Sequence, residues 1–211
     1  MGKFEKGILG HFDGKVGTVV GSRWKGIDYM KSKSRRSTKP KTAKQLQQQA
    51  KFATVTKFVG PLGKLMKDSF NDPKEKMTGV NLSVSLNYAN AVTGDYPLFT
   101  IDYGKVLVSK GTLHNVFSPA ATANGAGKVK FDWTKNEGAN ASPDDIAVMV
   151  AYCPAMNQGI FEEDGSTRES EKGMLDTLIF TGKEVHTWLL FYTKNRDAVA
   201  ASLYTGKLTV S

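Results

Sequence analysis

From Leu82 to the C-terminus, short apolar runs alternate with turn clusters, and this most constrains the fold. "LSVSLNY", "PLFTIDYGKVLVSKG", "GKVKFDWTK", "DDIAVMVAYCP", "EVHTWLLFYTK" and "ASLYTGKLTV" follow one another at fairly regular intervals. Runs rich in β-branched and aromatic residues at this spacing predict the strands of an antiparallel sandwich. In the first run Leu82, Val84, Leu86 and Tyr88 alternate as on a half-buried strand. Asp164-Gly165 within "IFEEDGSTRESE" reads as a hairpin tip.

The first part of the chain has a different texture. Asp13-Gly14 lies between "GILGHF" and "KVGTVV", and Lys25-Gly26 lies between "VGTVVGSRW" and "IDYMKSKS". Both dipeptides predict tight turns, so these runs, residues 7–34, read as a three-stranded meander. Strand alternation puts Val16, Thr18, Val20 and Trp24 on one face, and Gly17, Val19, Gly21 and Arg23 on the other. Glycine inside a strand marks a bulge or a close approach by another backbone. A ribbon with so many glycines is not expected to be stable alone.

After Pro40, "KTAKQLQQQAKFATVTKF" predicts a helix with Thr42 as N-cap. Its apolar positions include Leu46, Ala50, Ala53, Phe58, Leu62, Leu65 and Met66. Gly60-Pro61 interrupts them, so the expectation is a kinked helix or two pieces ending near Phe70–Pro73. The predicted class is therefore mainly β (α+β). A basic meander plus helical segment fills residues 1–75, and a β-rich region fills 76–211 with a sandwich over about 100–211.

The β-rich part resembles a fibronectin type III or immunoglobulin-like domain. "VKFDW" is similar to an early strand with its core tryptophan, Trp133, and "VHTWLLFYTKNRDAVAASLY" is similar to the closing pair. The whole chain also resembles an uncharacterised Bacteroidetes family that opens with a "GxxGxxxGKVGxVVGxxWKG" stretch and continues into "PxTxxQ". Those elements are Gly7–Gly26 and Pro40–Gln45 here. The resemblance implies no established activity. The basic strand and "PxTxxQ" are also similar to small proteins of phages and other mobile elements.

Catalytic signatures fail on spacing. "GHFDGKV" is no P-loop, because Gly10 and Gly14 enclose three residues rather than four and Val16 replaces the magnesium-binding hydroxyl. His11, His114 and His186 are far apart, without a metal-ligand pattern, and His186 reads as a sheet residue. Cys153 closes an apolar run, where a thiol behaves as a small hydrophobe. Glu162-Glu163-Asp164 lacks the alternating ligands of a calcium loop. No catalytic, cofactor or metal residue is assigned, and the expectation is a protein that is not an enzyme and needs no cofactor.

Charge points to the front of the chain. Residues 1–80 hold 18 Lys/Arg against 6 Asp/Glu, while residues 81–211 hold 11 against 14. Such asymmetry fits an acidic or polyanionic partner, or a solvated edge that discourages unwanted pairing. The candidate partner-binding residues are Gly17, Gly21, Arg23, Trp24, Lys25, Tyr29, Lys31, Lys33, Arg35 and Arg36. Lys31, Lys33 and Arg35 are expected on one face with Ile27 and Tyr29, and Arg36 on the other. The expected role is self-association or docking on a protein partner by strand addition. Sequence-tolerant nucleic-acid binding through residues 23–44 is the alternative. Without a long apolar run or signal-peptide pattern, a cytoplasmic protein without membrane contact is expected.

Overall fold

The computed structural model describes residues 3–4, 10–24, 26–35, 38–70, 77–136, 138 and 140–211; of Lys3, Phe4 and Asp164 it describes the backbone alone. The chain divides into two compact units, Met1–Thr42 and Ala43–Ser211.

The first unit is a four-stranded antiparallel meander, β1 (Lys3–Phe4), β2 (Phe12–Val16), β3 (Val19–Trp24) and β4 (Ile27–Ser32), paired in chain order. The second turn falls where expected, since Trp24 pairs with Ile27 across Gly26, at φ +81°. The first does not. Asp13 and Gly14 lie inside β2, with Gly14 opposite Gly21, and Val16 pairs with Val19 across Gly17-Thr18. Gly17 supplies the positive φ that this two-residue turn requires, at +59°. Gly17 and Thr18, expected inside a strand, form the turn instead.

The second unit begins with α1 (Ala43–Val59), passes through a 3-10 turn at Gly60–Leu62, and continues as α2 (Gly63–Ser69). The Gly60-Pro61 break thus tightens the helix for one turn without separating its pieces. α3 (Gly79–Asn90) replaces the strand expected from "LSVSLNY". The Thr78 side chain caps it, accepting from the Asn81 amide at 3.3 Å. Its most buried positions are Gly79, Leu82, Ser83 and Asn87, spaced by three and four, so the helical period overrides the alternation. Asn87 secures the helix through its side chain: Nδ2 donates to Ser83 O and Leu107 O, and Oδ1 accepts from Leu107 N, each at 2.9 Å.

A short ladder, β5 (Val92–Thr93) with β6 (Thr100–Ile101), leads into the sandwich. Its strands are β7 (Phe117–Ala123), β8 (Lys128–Thr134), β9 (Ile146–Cys153), β10 (Gln158–Thr167), β11 (Lys172–Asp176), β12 (Glu184–Tyr192) and β13 (Leu203–Thr209). They form two antiparallel sheets, β10-β9-β12-β13 and β11-β8-β7. Asp164-Gly165 is no hairpin tip but part of a bulge in β10, between Glu162 and Ser166. The β9–β10 turn lies earlier, between Cys153 and Gln158, with Asn157 at φ +51°.

The four-stranded sheet is covered on both faces. Met149, Leu189 and Phe191 meet Val129, Phe131 and Trp133 of the three-stranded sheet. Val148, Val150, Trp188 and Leu190 point the other way, onto Val55, Phe58, Leu62, Leu65 and Met66 of the helices. Double burial explains why "IAVMVAYC" and "TWLLFY" are continuous apolar runs rather than alternating ones. At roughly 1.5–3 kcal/mol per large buried side chain, those five helical residues contribute about 8–15 kcal/mol. The helices are therefore a third layer of this unit. Cys153 is wholly buried in the sandwich core, as an apolar-run thiol should be.

One ion pair is also buried there. Arg168 Nε and Asp145 Oδ2 are 3.0 Å apart, each side chain 1% exposed. The guanidinium also donates to Asn136 Oδ1 at 2.6 Å and His114 O at 2.8 Å, and lies 4.6 Å from the Phe191 ring centre. Trp133 Nε1 donates to Arg168 O at 3.0 Å, which ties the core tryptophan to the same point.

Candidate functional site

The meander places the candidate residues by register. Directly opposed residues of antiparallel strands share a face, so Val20 goes with Lys31, Ser22 with Tyr29, and Trp24 with Ile27. Lys15 joins them opposite Val20. One face of the ribbon thus carries Trp24, Ile27 and Tyr29, which are 46%, 67% and 42% exposed. The Lys31 ammonium lies 5.7 Å from the centre of the Tyr29 ring, so cation and aromatic are presented together.

Arg23 and Gly21 belong to the opposite side. Arg23 Nε is 3.2 Å from Asp28 Oδ1, which also meets His11 Nδ1 at 3.2 Å. Arg23 is therefore held by an internal carboxylate rather than presented with Lys31. Gly21 is buried because the Phe12 backbone and ring lie against it. A Cβ there would stand 2.1 Å from Phe12 O and 2.8 Å from the ring. Its glycine serves close packing within the ribbon, while Gly17 serves the turn.

The expected alignment of Lys31, Lys33 and Arg35 breaks at the end of β4. Lys33 N donates to Thr18 O at 2.8 Å, closing the ribbon end, and the strand stops at Ser32. Lys33 and Arg35, with Thr18, Ser32 and Ser34, line a hollow of about 500 Å³ there. Lys25 and Arg36 lie outside the described residues.

Two further properties bear on docking. β4 is an outer strand whose six residues are all exposed, and β3 is its one ladder partner among the described residues. Val16, Val19 and Met30 are exposed as well, at 49%, 38% and 71%. The apolar side chains of β4 were legible in the sequence. Their failure to find a core was not, because only pairing order makes β4 an edge.

His186, in β12, stacks on Tyr103 with ring centres 3.9 Å apart, and its Nδ1 is 2.8 Å from the Tyr204 hydroxyl. Burial pushes its pKa below the ordinary histidine value, while Glu184 opposes the shift and Lys207 adds to it. Burial likewise raises Tyr103, Tyr152 and Tyr204 above the usual phenol value. Among the described residues, no three His, Cys, Asp or Glu side chains converge as metal ligands would. Glu163 pairs with Arg196 at 2.8 Å. Among the same residues, no helix is long and apolar enough to cross a membrane.

The model of a family of unknown function, DUF6266, matches residues 11–206, and the chain belongs to that family. No curated protein matches it. Among solved structures, the fibronectin type III domain of human collagen alpha-1(XX) chain is similar at 12% identity and a TM-score of 0.32. That likeness covers 47% of this chain and 90% of the collagen domain.

Proposed function

We propose that this member of a family of unknown function is a non-enzymatic interaction protein whose N-terminal ribbon mediates self-association. The same edge would serve for docking on a partner's strand. The carrying observation is that β4 joins an outer sheet edge to exposed Ile27, Tyr29 and Met30. An edge strand offers unpaired N–H and C=O groups, and natural proteins usually shorten, charge or cover such edges. This edge has Lys31 and Asp28 among its six residues, but Asp28 is already bound to Arg23.

A second strand laid on β4 gains main-chain hydrogen bonds and covers the apolar side chains, as in strand addition. With a second copy, antiparallel pairing about Met30 sets Tyr29 of one chain beside Lys31 of the other on a common face. The existing Lys31–Tyr29 contact would then repeat across the junction. The test is sedimentation of the full chain against Met30→Glu, an exposed position at which the pairing would set two carboxylates opposite each other. Concentration-dependent association that Met30→Glu abolishes supports the reading, and association that Met30→Glu leaves unchanged refutes it.

The second reading rests on the hollow flanked by Lys33 and Arg35 near a face bearing Trp24, Tyr29 and Lys31. Cations beside stackable rings suit a single-stranded polyanion. It predicts binding of oligonucleotides that falls steeply with salt and drops in Arg35→Glu. Gel retardation at low salt without any shifted species would dispose of it.

A further inference from the structure

A groove of about 740 Å³ runs between α1 and α3, and none of its lining residues belongs to the ribbon. Phe52, Val80, Val84 and Tyr88 form its apolar walls, with Gln48 and Ser85 among the polar groups along it. Phe52 is 53% exposed, whereas Val55, Phe58 and Val59 further along the same helix are buried. Leu46, on the same helix, is 39% exposed. The Tyr88 hydroxyl donates to Gln48 Oε1, bridging the two walls, and the Lys51 ammonium lies 4.5 Å from the Tyr88 ring centre.

The charge on the two helices that form this groove has one sign. No Asp or Glu occurs between Asp28 and Asp68, a stretch containing 11 Lys and Arg residues. α1 carries Lys44, Lys51 and Lys57, and α3 carries no charged residue at all. A second copy's ribbon is a poor occupant, because Lys15, Lys31, Lys33 and Arg35 would meet cations of the same sign. We infer that the α1/α3 groove receives an acidic amphipathic helix of a different protein. The eight steps from Gln48 to Thr56 and from Val80 to Tyr88 each span about 12 Å, close to two helical turns. The occupant therefore presents apolar residues at i, i+3 or i+4, and i+7, with carboxylates flanking them to meet Lys44 and Lys51.

The probe is a fluorescein-labelled peptide of about 16 residues, long enough to hold helix, with leucine at those positions and glutamate on the remaining face. A second peptide carries lysine in place of every glutamate. Anisotropy with the full chain should show binding of the acidic peptide and none of the basic one. Phe52→Glu should weaken the acidic peptide by about tenfold or more, the loss of one large apolar contact. Lys51→Glu should weaken it by about two- to fivefold, as for an exposed ion pair. Val84→Glu tests the opposite wall, and circular dichroism verifies that each variant stays folded. Met30→Glu, which removes the ribbon contact, should bind the peptide normally, so the two surfaces fail or succeed separately. Equal binding of both peptides, or unchanged binding in Phe52→Glu and Val84→Glu, overturns the inference. So does concentration-dependent self-association that Phe52→Glu abolishes, which would give the groove to a second copy.

Discussion

Replacing Asp145 by alanine should be among the most damaging single changes in the larger unit. The carboxylate faces Arg168 at 3.0 Å with both side chains 1% exposed, and Asp145 Oδ2 also accepts from Ser142 N at 3.0 Å. Alanine leaves a guanidinium inside the sandwich that still donates to Asn136 Oδ1 and His114 O but has lost its countercharge. Removing one partner of a buried pair costs about 3–5 kcal/mol, chiefly through the uncompensated charge. A unit of this size loses about 2–4 °C of Tm per kcal/mol, so the midpoint should fall by roughly 6–20 °C. Urea denaturation followed by the fluorescence of buried Trp133 and Trp188 reads the change. The double variant Asp145→Ala with Arg168→Met removes both charges. His114 and Asn136 are not buried, so water can satisfy the two acceptors that Arg168 leaves. The double variant should therefore be more stable than the sum of the singles implies, by at least about 1 kcal/mol. A loss below about 1 kcal/mol for Asp145→Ala, or strict additivity of the pair, would refute the reasoning.

Three other predictions follow from the packing. Asn87→Ala should cost about 1–3 kcal/mol in the same urea assay, because it strands the Leu107 amide and carbonyl. Gly21→Val forces a side chain into Phe12 and should cost about 1–3 kcal/mol, confined to the ribbon. Amide NMR signals of residues 10–34 should lose dispersion while those of the sandwich stay in place. His186 has a folded-state pKa below the unfolded value of about 6.5, so its neutral form stabilises the fold. That contribution is complete above about pH 6.5 and is lost as pH falls through the folded pKa. The urea midpoint of the native chain should therefore drop more between pH 7 and 5 than that of His186→Gln.

Much of this architecture was legible where one signal dominated. Pro40 precedes the helical segment and Gly60-Pro61 marks its 3-10 turn, and β8, β9, β12 and β13 coincide with the runs that predicted strands. The misreadings arose where two signals competed. "LSVSLNY" alternates perfectly, yet a Thr78 cap and the burial of Leu82, Ser83 and Asn87 make it a helix. β7 ("FSPAATA") carries little apolar bulk, and its Pro119 fits only an outer strand, so nothing local announced it. The Asp145–Arg168 pair joins residues 23 positions apart. In the sequence Asp145 stood as half of an acidic dipeptide at a strand entrance. At the candidate site, the aromatic and basic residues were visible one by one. Their sorting into a presented set, with Trp24, Tyr29 and Lys31, and an internally paired Arg23 required the β3–β4 register.

The most direct test of the docking account is sedimentation equilibrium of the full chain over a wide concentration range, beside Met30→Glu. Edge-to-edge association through β4 predicts a mass that rises with concentration in the native chain and stays at the monomer value of 23.0 kDa in the variant. A native chain that remains at 23.0 kDa at every concentration would contradict self-association through the ribbon.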